Sequence, residues 1–370
     1  MWEPPPVRRL LAAPDKFRGT ASAAEVAAAA GRGARHQGWV ADEVPMSDGG
    51  EGLLEALGGV VRHTRVPGPL GEPVDAEWRW LDGPPSGRRL GDGPHAAPHG
   101  WHAGGGAPRW PTAVIEMARA AGRSLLPAPR GDDPLRASTR GVGELVVAAV
   151  AAGARRVVVG CGGSATTDGG LGAVEAIGEA ECSLAGVDLV AAVDVRTRFA
   201  DAARVFGPQK GATPAQVREL EGRLRRLATE YRQRSGTDVG DMAGSGAAGG
   251  LAGGLAALGA RIVPGFDLVA GLVGLEDRIR RADLVMTGEG RLDATSLEGK
   301  VPGRVLTLVS GRAPLICVVG DAEPAVAARL AQEATVVSLC DRFGRPRAVA
   351  QTASLVEEVV ASHLARLPAP

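Results

Sequence analysis

Short apolar runs and amphipathic stretches alternate along this chain. Residues 7–13 predict a first strand that runs into Pro14-Asp15-Lys16-Phe17-Arg18-Gly19-Thr20. Behind it, Ser22 and Glu25 make a capping-box pattern ahead of the alanine-rich stretch 23–35, so the first unit predicts strand, loop and helix. Residues 39–44 predict a second strand, which runs into Ser47-Asp48-Gly49-Gly50-Glu51-Gly52 before the leucines of the next helix. Further strands are predicted over 60–66, 74–81, 112–117, 156–160, 284–286, 315–319 and 334–339. Helices are predicted over 141–152, 171–177, 214–234, 247–258, 301–309, 322–332 and 348–364. Such alternation predicts α/β architecture. The Pro67-Gly68-Pro69-Leu70-Gly71 cluster marks a boundary, placed near Gly68. The C-terminal third resembles the first segment in kind, and the simplest topology returns it there. The expected organisation is one discontinuous domain, 1–68 with 283–370, and an inserted α/β domain over 69–282. Residues 82–111 lack periodicity and predict a surface insertion. Its His95, His99 and His102 have no matching carboxylates and read as incidental rather than metal-binding.

Composition narrows the function. With 45% hydrophobic residues over 370 positions, the chain can bury large cores without staples. Lys plus Arg and Asp plus Glu balance at 42 each, which leaves no global field for nucleic acid or an anionic membrane. Any anion must be held by local groups. The four cysteines, Cys161, Cys182, Cys317 and Cys340, form no C-x-x-C and read as reduced core thiols. Prolines stand where a signal peptide needs an apolar core, no window has the length of a membrane span, and a cytoplasmic location is expected.

The candidate chemistry lies in polar loops after predicted strands. After 284–286 come Gly288, Glu289, Gly290, Arg291, Asp293, Ser296 and Lys300, read as a loop that its glycines make flexible. Carboxylates, a guanidinium and an ammonium together suit phosphoryl transfer, although a solvated turn with surface ion pairs accounts for them too. Asp15, Lys16 and Arg18 occupy the corresponding position after the first strand, where open α/β sheets bind ligands. Asp48 follows the second strand, and three flanking glycines exceed what helix capping requires. Cys161-Gly162-Gly163-Ser164-Ala165-Thr166-Thr167-Asp168-Gly169-Gly170 joins a strand to a helix N-terminus, an arrangement that can cradle an anion. No Walker A or protein-kinase signature occurs. Gly244 to Gly249 fits G-x-G-x-x-G, but the polar residues before it are no Rossmann strand, so a nicotinamide-dependent oxidoreductase rests on this motif alone.

Six blocks together resemble the bacterial glycerate kinase family that includes the glycerate 2-kinases. They are residues 13–20, 47–52, 162–170, Phe206-Gly207-Pro208-Gln209-Lys210-Gly211-Ala212, Gly246-Ala247-Ala248-Gly249-Gly250 and Thr287-Gly288-Glu289-Gly290-Arg291-Leu292-Asp293. The resemblance implies a discontinuous flavodoxin-like, Rossmann-like three-layer domain from both termini, an inserted mixed α/β domain and an active site in the cleft. It implies transfer of the γ-phosphoryl group of ATP, with Mg²⁺, to a hydroxyl of D-glycerate, and it allows a homodimer. On this expectation Asp168, Lys210, Arg291 and Asp293 are catalytic, with Asp168 and Asp293 also holding the metal. Asp15, Lys16, Arg18, Asp48, Gln209 and Glu289 bind substrate. Gly162, Gly163, Ser164, Thr166, Gly169, Gly246 and Gly249 cradle the nucleotide. Where the family has Asp-Val-x-Asn-Pro-Leu, this chain has Asp194-Val195-Arg196-Thr197-Arg198-Phe199, which motivates the alternative of a relative that binds without turnover.

Overall fold

The computed structural model describes residues 7–82, 110–126, 133–297 and 299–368. In chain order the strands are β1 (Arg9–Ala12), β2 (Val40–Glu43), β3 (Val60–Pro67), β4 (Pro73–Leu81), β5 (Thr112–Glu116), β6 (Arg156–Gly160), β7 (Asp188–Val193), β8 (Arg261–Pro264), β9 (Leu284–Leu292), β10 (Leu315–Ala322) and β11 (Thr335–Ser338). A five-stranded sheet has the order β11-β10-β9-β1-β2 and is parallel throughout. A six-stranded sheet has the order β3-β4-β5-β6-β7-β8, antiparallel across its first two pairings and parallel after them. The first sheet joins strands from the two ends of the chain in the flavodoxin-like order.

Strands buried on both faces read as near-continuous apolar runs, and alternate residues serve different cores. On β1, Leu10 and Ala12 face the helices Ala23–His36 and Thr352–Leu364, while Leu11, and Ala13 just after the strand, face the opposite way. On β6, Val157 and Val159 face helices Arg140–Ala151 and Leu171–Glu179, while Val158 turns toward Leu11 and Val285 of the other sheet's core. The helices Leu53–Leu57, Gly265–Val273 and Val301–Val309 fill this shared middle layer, contributing Leu54, Phe266 and Val305. One continuous core therefore fixes the ends of both sets of strands relative to each other. Among the described residues, no helix is long and apolar enough to cross a membrane.

Four expectations need correction. The strand at 60–66, expected in the N-terminal unit, is β3 and pairs with β4 in the six-stranded sheet, so the chain changes sheet between β2 and β3. The flexible loop after residue 286 is a continuation of β9, with Glu289 opposite Val319 and Arg291 opposite Asp321. Its glycines serve close packing: a Cβ on Gly288 would overlap the Val318 carbonyl, and one on Gly290 would come 3.1 Å from the Phe17 Cα. β7 and β8 are additional strands that the sequence reading did not include. The closing helix is two pieces, Arg345–Ala350 and Thr352–Leu364. The predicted insertion and its three histidines lie almost wholly outside the described residues.

Candidate active site

In the five-stranded sheet the chain leaves β1 for β2 on one side, and β9 lies on the other. The carboxyl ends of β1 and β9 thus flank the topological switch point, where open α/β sheets place their ligands. A cleft of about 520 Å³ opens there. The loop after β1 is sewn to β9 by Ala13 N to Met286 O at 2.7 Å and Asp15 N to Gly288 O at 2.8 Å. The loop after β2 is tied to it by Met46 N to Pro14 O at 2.9 Å. Asp15, Lys16, Arg18, Asp48, Glu289, Arg291 and Asp293 all line this cleft. Seven of the expected residues, from three separate blocks, are brought together.

Lys16 is central to the electrostatics. Its Nζ lies 3.7 Å from Asp15 Oδ1 and 3.9 Å from Asp48 Oδ1. Burial lowers the lysine's pKa, but attraction to these carboxylates outweighs it and leaves the pKa raised. Burial pushes Asp15 up to about 6, opposed by Lys16 and reinforced by Asp48. Glu289 is buried, its Oε1 has no partner, and burial holds it at about 7. Asp293 behaves in the opposite way. Its Oδ1 accepts hydrogen bonds from Thr295 Oγ1 at 2.6 Å and Thr295 N at 2.9 Å, which lower its pKa, and Lys300 Nζ lies 3.8 Å away. Arg18 and Arg291 are exposed at the rim, Arg291 3.7 Å from Glu323.

Lys300, the ammonium of the polar loop singled out in the sequence, also lines the cleft, as do Asp194, Asp321 and Arg345, which were not assigned to the site from sequence. Asp194 follows β7 and crosses from the other sheet. It is accessible from the cleft yet crowded by its walls; that crowding, then the Asp48 charge, push its pKa up to about 6. The signal available in the sequence was its place at the end of the apolar run 189–193. Asp321, at the end of β10, pairs with Arg345 at 3.1 Å. Five cationic and six acidic side chains thus share one cleft, so it is suited to a ligand carrying several negative charges and a hard cation rather than to an apolar molecule.

The remaining expected residues lie elsewhere. Asp168 Oδ2 accepts from Thr139 N at 2.8 Å, Thr139 Oγ1 at 2.7 Å and Gly172 N at 3.2 Å, and its Oδ1 accepts from Gly170 N at 3.1 Å. These bonds anchor the entries of two helices, and Asp168 lines a different cavity, of about 360 Å³. It is therefore not placed to share a metal with Asp293. Lys210 is buried with its Nζ 2.5 Å from the Thr166 carbonyl, and burial lowers its pKa to about 7. Gln209 beside it is exposed and does not line the cleft. The glycines expected to cradle phosphates are occupied by packing between loops. A Cβ on Gly162 would lie 2.5 Å from the Gly50 Cα, and one on Gly163 2.8 Å from Glu51 Oε1. Gly169 N donates to Gly249 O at 3.0 Å, and side chains on Gly249 or Gly246 would overlap the carbonyls of Thr166 or Arg198. Ser164 bridges to Gly122, and Thr166 is fully buried. Nor does a strand precede Gly244 to Gly249, where Ala248 has a φ of 53°, so the dinucleotide motif lacks its structural context.

Comparison with known proteins identifies the family. The profile described as the glycerate kinase family matches residues 10–181 and 179–368. The chain is 36% identical over 331 residues to glycerate 2-kinase of Escherichia coli K12, covering 80% of each sequence. It is 36% identical over 332 residues to glycerate kinase of Bacillus subtilis 168, again covering 80% of each. A crystal structure assigned as glycerate kinase 2 from Salmonella typhimurium LT2 superposes with a TM-score of 0.74 at 30% identity, covering 98% of this chain and all of that one.

Proposed function

This chain belongs to the glycerate kinase family, and we propose that it transfers the γ-phosphoryl group of ATP to a hydroxyl of D-glycerate. The observation that carries the reading is the meeting of Asp15-Lys16, Asp48, Glu289-Arg291 and Asp194 from four strand ends at one charged cleft. Phosphoryl transfer needs little covalent chemistry from a protein and depends on positioning and charge compensation. In this reading Lys16 neutralises the transferring group, and Arg18 and Arg291 at the rim take the glycerate carboxylate through their planar donor forks. Asp194 accepts the proton of the acceptor hydroxyl. Its raised pKa makes it a better base than an ordinary aspartate while leaving it ionised at neutral pH. The name of the Escherichia coli relative favours 2-phosphoglycerate as product.

The donor set fits Mg²⁺. The partnerless, buried Glu289 Oε1 and the nearby Asp15 carboxylate are hard oxygen donors. Mg²⁺ usually takes only one or two protein carboxylates and completes its shell with phosphates and water. Glu289 and Asp15 would hold the ion, which when bound offsets charge on the phosphates. The Thr197-Arg198 departure from the family pattern lies outside the cleft lining: Thr197 O accepts from Gly246 N at 3.0 Å and Arg198 pairs with Asp241 at 3.3 Å. It therefore gives no support to binding without turnover.

The test is ADP release from ATP and Mg²⁺ with D-glycerate, alongside L-glycerate and tartronate, and ³¹P NMR of the product. Turnover dependent on D-glycerate with the phosphate on the 2-hydroxyl supports the whole reading. Phosphate on the 3-hydroxyl corrects the regiochemistry, and folded protein that turns over none of the three acids sinks it.

A further inference from the structure

A second cavity, of about 490 Å³, adjoins the charged cleft, and Asp48 and Asp194 line both. Its character is different. Val193 and Val195 at the end of β7, Ile262 and Val263 of β8, and Phe266 form an apolar wall. Arg304 also lines it, but it is already paired with Asp267 and lies 5.5 Å over the Phe266 ring. The two spaces are thus adjoining lobes that share two carboxylates, one lined mainly by charged side chains and one with a hydrocarbon side.

A kinase of this type must hold two unlike ligands. The hydroxy acid is small and polar on every side, so an apolar wall has nothing of it to bury. The nucleoside carries a flat heteroaromatic ring, and apolar side chains with a few polar groups are what such rings seek. Given the kinase reading, on which this step rests, we propose that the lobes divide the substrates. The apolar lobe takes the adenine nucleoside, the charged cleft takes the hydroxy acid, and the phosphate chain runs from the apolar lobe toward Lys16, whose ammonium lies beside Asp48. The assignment moves the nucleotide away from the glycine loops 162–170 and 244–250, whose backbones pack against each other. It also gives the start of the Asp194 to Phe199 segment a role, since Val195 and Arg196 edge the nucleoside lobe.

Two bulky substitutions on exposed positions separate the lobes without entering a core. Ala243 is exposed and lines the apolar lobe, whereas Val349 is 52% exposed and lines the charged cleft. The measurements are ADP affinity by isothermal titration calorimetry, the KM for D-glycerate, and the melting temperature of each full-length variant. Ala243→Trp should weaken ADP by about tenfold or more, equivalent to one rank of affinity, with glycerate KM and melting temperature unchanged. Val349→Trp should leave ADP affinity as it is. The opposite pattern, or an Ala243→Trp enzyme that binds ADP like the parent, overturns the assignment while a turning-over parent keeps the kinase reading. A parent that neither binds ADP nor turns over overturns both.

Discussion

Lys16 reaches from the end of β1 to Asp48 at the end of β2, with 3.9 Å between Nζ and Oδ1. Because its pKa is raised in spite of burial, the ammonium stays charged through the neutral range. Replacing it with methionine should cost about 10²–10³-fold in kcat/KM, the scale of removing one preorganised charge-stabilising donor. Lys16→Arg should recover only part of this, since a planar fork does not replace a compact point charge held between two acids. Steady-state ADP release measures both. A methionine variant with parental kcat would take Lys16 out of the phosphoryl path.

The buried acids make stability depend on pH. Glu289 stands near 7 in the fold against an ordinary 4.5, so between those values the folded protein binds a proton that the unfolded chain has lost. Stability contributed by this group is present below pH 4.5 and lost as pH rises through 7. Asp15, raised to about 6, acts in the same direction over a lower window. Glu289→Gln should therefore flatten part of the fall, and at pH 8 it should exceed the ligand-free parent by roughly 3 kcal/mol at most, from 1.36 kcal/mol per pKa unit. Calorimetric melting of both proteins from pH 4 to 8 checks this. Parallel curves would show that the Glu289 carboxyl is not desolvated.

Much of this was legible in the sequence because local signals agreed with the fold. The Ser22–Glu25 capping box forms, and the acids and bases after β1 and β2 do reach the switch point. What misled was glycine. Around Gly288 and Gly290, glycine looked like flexibility but permits two strands and the Phe17 loop to approach closely. In 162–170 and 244–250 it looked like an anion cradle but lets two loops interlock. Sequence alone does not say whether a bare backbone faces a ligand or another backbone. Asp194 was missed for a different reason: its role depends on which strands of the two sheets the shared core brings side by side.

Asp168 is predicted to matter for stability rather than chemistry. Asp168→Ala removes the acceptor of four hydrogen bonds, including a charge-assisted one from Thr139 Oγ1, and leaves buried donors unsatisfied. The expected loss is about 3–5 kcal/mol, at the upper end of single substitutions. Turnover per folded molecule, measured at low temperature, should stay near the parent's. If the variant melts like the parent but turns over a hundred times more slowly, as a lost general base would make it, Asp168 belongs to the chemistry after all.

Gly265 gives the sharpest test of how the sheets align the site. It opens the helix Gly265–Val273, and a Cβ there would overlap the Asp48 carbonyl oxygen and the Gly49 Cα. Gly49 is constrained in return, with a φ of 95° and room for a Cβ only 2.7 Å from the Gly265 Cα. Two backbones are therefore in direct contact, and a methyl group can be accommodated only by moving the loop that carries Asp48. Overpacking of this kind costs about 1–3 kcal/mol. Its catalytic effect should be about 10²-fold in kcat/KM, because Asp48 would shift relative to Lys16 and a 1 Å misplacement is costly. Gly178→Ala is the control, being a helical position where a Cβ meets nothing within 4 Å. It should gain about 0.5–1 kcal/mol with turnover unchanged. Should Gly265→Ala lose stability but keep kcat/KM, the position of Asp48 would not limit the reaction, and the contact between the two backbones would serve the fold alone.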